Sequence, residues 1–575
     1  MDSELAYKEW IETVEDPDLK RELYDMDERK KHNAFYRDLE FGTGGLRGVL
    51  GAGSNRMNYY TVSKATQGLA DYLKKTVRDR VPSVAIAYDS RIHSEDFAQA
   101  AASVLAANGC CVHLFSELAP TPVLSYAVRT LHCDAGIVIT ASHNPAKYNG
   151  YKVYGKDGCQ ITLEAATNIL SCIEKVRIFA DTKTTDFKKA VNAGQVQWIK
   201  DGLMQSFIEK TKACTIHPEL LKQTDLKVIY TPLNGTGNKP VRQALTACGF
   251  KNICVVPAQE KPDGSFSTCP KPNPEERAAF HVALKLAAQN PADILLATDP
   301  DCDRVGIAVR DNRGEYVLLT GNETGCLLLE YILSQKQAHH LMPKNPVAIK
   351  TIVTTAMAYT IASEYNVQII DTLTGFKFIG EQIGRLEQKG EENRYVFGFE
   401  ESYGYLLGTY VRDKDAVSAS VLICEMAAYY KKQGMTLLDA LIRLYQKYGC
   451  WKHKLLSFSF EGEEGQAVMQ KIENAFRNDQ YNSFAGLAVD TKTDYLYSVS
   501  YNKQIGGSKT LSLPKSNVLV FELEQGAEVV LRPSGTEPKF KCYLTAKGDD
   551  IKSATDRLNA LEEDVRHIIG HLSNR

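Results

Sequence analysis

Asp299-Pro300-Asp301-Cys302-Asp303-Arg304 places carboxylates at i, i+2 and i+4 between the apolar runs Ile294-Leu295-Leu296-Ala297 and Val305-Gly306-Ile307-Ala308-Val309. Three carboxylates this close repel one another unless a cation joins them. Mg²⁺ suits such a cluster, because it takes near-octahedral oxygen ligands and commonly leaves positions for a phosphate. An EF-hand is excluded: its sixth position would be Arg304 where Gly is required, and its twelfth Arg310 where Glu is required. A solvated acidic turn is the bland alternative. Arg304 beside the cluster can hold a phosphate or orient the Asp side chains.

Ser142, in Thr140-Ala141-Ser142-His143-Asn144-Pro145, has apolar residues on its strand side and polar ones on its loop side, which predicts a presented hydroxyl. No G-x-S-x-G elbow surrounds it. On an extended chain neighbouring side chains point to opposite faces, so His143 is poorly placed to serve as its base. That favours a carrier phosphorylated by transfer over an acyl-forming nucleophile. Taken alone, a Ser in a strand-end loop is more often structural, and its standing rises only with the loops around it.

Three further loops offer matching chemistry. Arg532-Pro533-Ser534-Gly535-Thr536-Glu537-Pro538 follows the strand-like Ala527-Glu528-Val529-Val530-Leu531, and its guanidinium, hydroxyls and backbone N–H groups suit a phosphate dianion. Phe41-Gly42-Thr43-Gly44-Gly45-Leu46-Arg47-Gly48 is Gly-rich with no strand expected before it. Arg47 stands where G-x-G-x-x-G needs Gly, so a dinucleotide site is not indicated and a flexible loop is the simple reading. Gly398-Phe399-Glu400-Glu401-Ser402 ends another apolar run and could bond sugar hydroxyls. Its adjacent Glu residues project apart, whereas a glycosidase pair must flank one bond with carboxyls about 5–9.5 Å apart.

These loops need scaffolds. Short apolar or β-branched runs recur at 84–90, 136–144, 226–237, 293–304, 348–355, 395–402 and 527–538, each running into a polar, Gly- or Pro-containing loop. Between them lie amphipathic stretches, such as Val62, Ala65, Leu69, Leu73 and Val77, or Ile551, Ala554, Leu558, Leu561 and Val565. Alternating strands and helices predict α/β domains, whose ligands gather beyond the carboxyl ends of the strands. At 575 residues the chain exceeds one core. We expect divisions at 205, 318 and 452: a phosphoserine domain, a metal-binding domain, a sugar-binding domain and a phosphate-binding C-terminal domain. No low-complexity linker separates them.

Hydrophobic residues make up 44% and charged residues 24%, an ordinary globular mix. Near balance of 68 basic and 70 acidic side chains argues against a nucleic-acid partner. The fourteen cysteines include no C-x-x-C pair, which excludes the usual zinc spacings. The charged N-terminus has the character of a helix without an apolar signal region, and no uncharged run is long enough for a membrane span. A cytoplasmic protein with free thiols is the expectation.

TASHNP (140–145), DPDCDR (299–304), GFEES (398–402) and RPSGTEP (532–538) occur in an order and spacing that resemble the α-D-phosphohexomutase family from Phe41 to Tyr543. The resemblance implies four α/β domains around a central active-site cleft, with mixed sheets flanked by helices in the first three and a smaller α+β C-terminal domain. It implies Ser142 as phosphoserine, with Asp299, Asp301, Asp303 and a Ser142 phosphate oxygen binding Mg²⁺. Arg47, His143 and Lys152 would surround the reacting phosphate and share acid–base work. Glu400 and Ser402 would grip sugar hydroxyls, with Lys414 as a further substrate-side lysine. Arg532, Ser534, Gly535 and Thr536 would hold the second phosphate.

GTGGLRG (42–48), GAGSNRMN (51–58) and GFEESYGY (398–405) are closest to the branch of bacterial phosphoglucomutases and phosphopentomutase-like enzymes of eukaryotes. The implied partners are sugar phosphates, the cofactor Mg²⁺, and the activator and intermediate a bisphosphate such as glucose 1,6-bisphosphate. Glucose 1-phosphate is the first choice of substrate, with mannose and pentose phosphates as alternatives. Two departures bear on sugar choice: Asn234 in TPLNGTG, where many relatives carry His, and Phe399 between Gly398 and Glu400. Two rivals remain. One is an aspartyl-nucleophile phosphotransferase using Asp301, since Asp301-Cys302-Asp303-Arg304-Val305 satisfies D-x-D-x-[TV]. The other is a non-enzymatic sugar-phosphate binder.

Overall fold

The computed structural model describes residues 3–42, 44–460, 462–478, 481–503, 506–533 and 539–573. It divides into two compact units, Met1–Gly321 with Phe376–Thr436, and Asn322–Gly375 with Leu437–Arg575. The four-domain α/β architecture expected from the sequence is present as successive strand systems with flanking helices.

In the first unit a seven-stranded mixed sheet runs, in spatial order, Phe41–Gly42, Gly45–Val49, Tyr148–Gly155, Ala135–Ile139, Ser83–Tyr88, Cys111–Leu114 and Val196–Trp198. Its centre is parallel, and every residue of Ala135–Ile139 is buried, as befits a strand covered on both faces. Helix Tyr59–Thr76 lies against it with Val62, Ala65, Leu69 and Leu73 buried. This helix starts at Asn58, whose side chain accepts the Thr61 N–H while the Thr61 hydroxyl accepts the Asn58 N–H.

A second, five-stranded sheet runs Tyr316–Leu319, Val305–Arg310, Ile294–Thr298, Val228–Thr231 and Ile253–Val255. Its strand Ile294–Thr298 is also buried throughout and delivers the Asp cluster. The unit closes with helix Phe376–Gln388, the antiparallel hairpin Tyr395–Glu400 and Gly404–Leu406, and helix Ala416–Lys432. Three short helices, Ser3–Thr13, Pro17–Tyr24 and Glu28–Phe35, pack at the N-terminus around buried Trp10, whose ring meets Phe35, Tyr60 and Phe179 edge-on.

In the second unit Val347–Thr351 pairs in parallel with Gln368–Thr372. The C-terminal part is an antiparallel sheet running Cys450–Ser459, Lys539–Gly548, Glu528–Pro533, Leu519–Leu523, Leu487–Asp494, Val499–Asn502 and Gly507–Thr510, with helices Gly462–Arg477 and Ile551–Ser573. Among the described residues no helix is long and apolar enough to cross a membrane.

Two local expectations change. The Gly-rich stretch around Arg47 is not a flexible loop: Phe41–Gly42 and Gly45–Val49 form an antiparallel edge hairpin whose second strand pairs Arg47 with Gly150. Ile551 shares the helical period of Ala554, Leu558, Leu561 and Val565 but is 46% exposed, because it is the first residue of the helix.

Candidate active site

Ser142 follows strand Ala135–Ile139 and adopts φ +52°, in the left-handed region that non-Gly residues avoid. Such strain costs about 1–3 kcal/mol and concentrates at functional sites. The turn reverses two expectations. First, Ser142 is buried, at 4% exposure, and its hydroxyl faces inward to donate to Asp299 Oδ2 at 2.7 Å. Second, the chain is not extended here, so the side chains of Ser142 and His143 converge and Ser142 Oγ lies 3.2 Å from His143 Nδ1. Thr140 Oγ1 accepts the Ser142 N–H at 2.8 Å and anchors the turn.

The Asp loop is equally tight, with Cys302 at φ +52°. Asp299 Oδ1 closes it by accepting the N–H groups of Asp303 and Arg304 at 3.1 and 3.0 Å. One carboxylate oxygen from each of Asp299, Asp301 and Asp303 lies within 4.8 Å of the others, and all three residues are buried. At an effective dielectric near 20, two unit charges about 5 Å apart repel by about 3 kcal/mol. Burial and the neighbouring Asp301 and Asp303 accordingly push Asp299 well above the usual carboxylate range, and burial with Asp301 pushes Asp303 up. Burial acts the same way on Asp301, but Lys152 Nζ, 2.9 Å from its Oδ2, overcomes it and holds that carboxyl below the usual range.

Asp301 Oδ1 and Asp303 Oδ1 are buried and accept no hydrogen bond. Orphaned carboxylate oxygens are costly to bury, and a divalent cation satisfies them. The donor set, all hard oxygen, fits Mg²⁺.

Cations ring the cluster. Lys152 reaches Asp303 Oδ2 at 3.7 Å, and Lys414 reaches the same atom at 3.1 Å and Asp413 Oδ1 at 3.3 Å. Arg304, expected to hold a phosphate or to orient the Asp side chains, is engaged by Glu275 at 2.6 Å, with its Nε 3.9 Å from Asp303 Oδ1. Burial and the positive charges of Arg304 and Arg47 push His143 well below the usual imidazole range, which keeps its ring neutral. Arg47 itself is exposed on strand Gly45–Val49, second from the edge of its sheet. Glu400 ends strand Tyr395–Glu400, buried and pushed up by that burial against the pull of Lys414 and Arg304. Ser402 is half-buried in the following turn, where Tyr403 adopts φ +63°. Arg532 is half-buried on strand Glu528–Pro533 of the second unit; Ser534, Gly535 and Thr536 lie outside the described residues.

Sequence reasoning missed several supports. Thr121 donates its hydroxyl to Asp301 Oδ2 at 3.0 Å and its N–H to the Asp301 carbonyl at 2.9 Å. Its signal was the Thr-Pro opening of helix Thr121–Thr130. Asp413, which accepts from the buried Tyr154 hydroxyl at 2.7 Å, and Glu275 had no motif of their own. Asn234, singled out by type, bonds to the segment 258–268 rather than to the Asp loop, which its neighbours Gly235 and Thr236 meet. Its Nδ2 donates to the Lys261 carbonyl at 2.7 Å, while Thr236 N–H donates to the Pro300 carbonyl at 2.8 Å. A Cβ on Gly235 would stand 2.4 Å from Pro300 Cα. Gly235→Ala should therefore displace the Asp loop and cost about 1–3 kcal/mol, the usual range for overpacking, measured by urea unfolding.

The arrangement is a buried serine hydroxyl bonded into a cluster of three carboxylates, with a neutral imidazole beside it and lysines around it. Comparison with known proteins agrees with that chemistry. Residues 38–178, 205–314 and 320–448 match, in turn, Phosphoglucomutase/phosphomannomutase alpha/beta/alpha domains I, II and III. Phosphoglucomutase of Staphylococcus aureus (strain USA300) is 38% identical over 563 residues, covering 98% of each chain. Among solved structures, the open form of the phosphoglucomutase pp63/parafusin from Paramecium gives a TM-score of 0.70 at 17% identity, covering 94% of this chain and 96% of that one. An Aspergillus fumigatus N-acetylphosphoglucosamine mutase, solved with GlcNAc-6P and magnesium, gives 0.51 at 14% identity, covering 93% and 96%. With the motifs in order and the match spanning nearly the whole chain, the chain belongs to the α-D-phosphohexomutase family and is a phosphosugar mutase.

Proposed function

We propose that Ser142 carries the phosphoryl group, that Asp299, Asp301 and Asp303 hold Mg²⁺ with a Ser142 phosphate oxygen, and that glucose phosphates are the preferred substrates. The observation that carries this reading is the 2.7 Å bond from the Ser142 hydroxyl to Asp299 inside a buried triad with orphaned oxygens. Mg²⁺, when bound, neutralises charge on the transferring phosphoryl group. The division into four domains at 205, 318 and 452 belongs to the same proposal.

In the forward step a sugar hydroxyl oxygen attacks phosphorus and loses its proton, the Ser142 O–P bond breaks, and Ser142 Oγ keeps the bonding pair and is protonated back to a hydroxyl. His143, whose Nδ1 lies 3.2 Å from Ser142 Oγ, is assigned to this proton exchange. Lys152 and Arg47 offset charge on the reacting phosphate. Glu400 and Ser402 accept from and donate to sugar hydroxyls, with Lys414 beside them. Arg532, with Ser534, Gly535 and Thr536, is assigned to the non-reacting phosphate. Arg304 orients Asp303 and the loop through Glu275. The bisphosphorylated sugar then turns over, and its other phosphate returns to Ser142. Glucose 1,6-bisphosphate is therefore both intermediate and activator.

The Staphylococcus aureus relative supports glucose as the sugar, and the GlcNAc-6P and magnesium in the Aspergillus fumigatus structure support the ligand classes. Protein stripped with a chelator is expected to lose conversion of glucose 1-phosphate to glucose 6-phosphate and to regain it with Mg²⁺ plus glucose 1,6-bisphosphate. Parallel kcat/KM values on glucose, mannose, ribose and deoxyribose 1-phosphates rank the sugars, and a higher value for any of the others overturns the glucose preference.

A further inference from the structure

Arg91 stands just beyond strand Ser83–Tyr88, with a side chain wholly buried and no catalytic motif around it. Its guanidinium gathers the backbone of the serine loop. Nη1 donates to the carbonyls of Pro145 and Tyr148, both at 3.0 Å, and Nη2 donates to those of Ser142 and Asn144. Nε sits 3.3 Å from Asp89 Oδ2, while Asp89 Oδ1 accepts the Arg91 N–H at 2.9 Å and the Ser94 hydroxyl at 2.7 Å. On the other side, the ring of Phe266 lies 4.9 Å from the guanidinium carbon. Phe266 is fully buried, comes from the chain that follows strand Ile253–Val255, and adopts φ +48°. The approach is close: a Cβ on Gly264 would stand 2.6 Å from Ile92 N.

Four carbonyl oxygens turned toward one point repel each other and need donors when buried. Only a planar guanidinium, with five N–H groups in a fixed fork, meets so many at once; an ammonium offers three donors from a point. The same loop carries strained Ser142, and a strained residue persists only where its surroundings over-determine it. Phe266 ties the fork to the part of the chain that carries the Asp cluster, so one side chain registers the serine loop against both. Phosphoryl transfer tolerates little error, since a misplacement of about 1 Å can cost about a hundredfold in rate.

We propose that Arg91 is a positioning residue for phosphoryl transfer: it holds the Ser142–Tyr148 loop, backed by Asp89 and Phe266, so that the serine oxygen stays registered on the Asp cluster. The proposal rests on Ser142 as the phosphoryl carrier. Arg91 touches neither substrate nor metal ligand side chains, so its removal should change transfer rate rather than sugar binding.

Wild-type protein and Arg91→Lys are loaded from glucose 1,6-bisphosphate, phosphate on Ser142 is counted by intact mass, and single-turnover transfer to glucose 1-phosphate is followed by quench-flow. Rates are normalised to folded, phosphorylated protein. The variant is expected to transfer about a hundredfold more slowly, with KM within about threefold of wild type. A normalised rate equal to wild type overturns the proposal, even if the variant melts earlier. Wild-type protein that takes up no phosphate on Ser142 overturns the carrier reading and this inference with it. If Arg91→Lys does not fold, Phe266→Leu replaces it, leaving every Arg91 hydrogen bond in place. It should slow transfer about three- to tenfold, and an unchanged rate overturns the proposal.

Discussion

Ser142→Ala is expected to lower mutase turnover by at least about a thousandfold, about 4 kcal/mol in the barrier, and to leave no phosphate on the folded protein. The substitution removes the serine oxygen, and among the described residues no other hydroxyl side chain is bonded to Asp299. Folding should be little affected. Losing the bond leaves a buried carboxylate oxygen short of a donor, at a cost of about 1–3 kcal/mol. That is small beside the stability of about 5–15 kcal/mol typical of a folded domain, and alanine fits the same volume. Coupled-enzyme turnover and intact mass check both halves.

The aspartyl-nucleophile rival forecasts the opposite, activity retained with phosphate on Asp301. Geometry disfavours it. Asp301 Oδ2 is already taken by Lys152 and the Thr121 hydroxyl, while Asp301 Oδ1 is buried. A fully active variant that is never phosphorylated would sink the serine assignment.

Asp299→Asn should separate stability from activity. Without metal, three buried carboxylates repel, and burial with Asp301 and Asp303 pushes Asp299 well above the usual carboxylate range. An amide of the same shape removes that repulsion. Its oxygen can keep the two loop N–H bonds from Asp303 and Arg304. The chelated variant should therefore melt a few degrees above chelated wild type. Mg²⁺ should reverse the order: a ligand at a hundred times its Kd stabilises wild type by about 2.7 kcal/mol, and the variant, short of one anionic ligand, should gain far less. Turnover should fall by at least about a thousandfold. Melting curves with and without Mg²⁺, paired with turnover, test this trade of stability against function. Equal Mg²⁺ stabilisation of both proteins would remove Asp299 from the ligand set.

Much of the scaffold was legible because burial dictates residue type. The seven apolar runs all contain strands, since a strand covered on both faces must be apolar throughout, as Ala135–Ile139 and Ile294–Thr298 are. Helix Tyr59–Thr76 was legible from its period. The hairpin holding Arg47 was not, because its Gly-rich composition reads as loop and its pairing comes from strand Tyr148–Gly155, about a hundred residues later. Arg91 and Glu275 were invisible for a related reason: each acts on a partner distant in sequence, and no local pattern marks it.

By itself the sequence determined the chemistry available: three carboxylates at alternate positions, a serine at a strand end, and loops for sugar and phosphate in one order. Those features are local, set by neighbouring residue types and by where apolar runs stop. Tertiary structure alone decided how that chemistry is aimed. It turned Ser142 through a left-handed φ that its residue type disfavours, brought its hydroxyl onto Asp299 and its neighbour His143 alongside, and drew Arg304 to Glu275. The physical reason is that such a turn is unfavourable locally and exists only because long-range partners outweigh its cost, and those partners are a property of the folded chain.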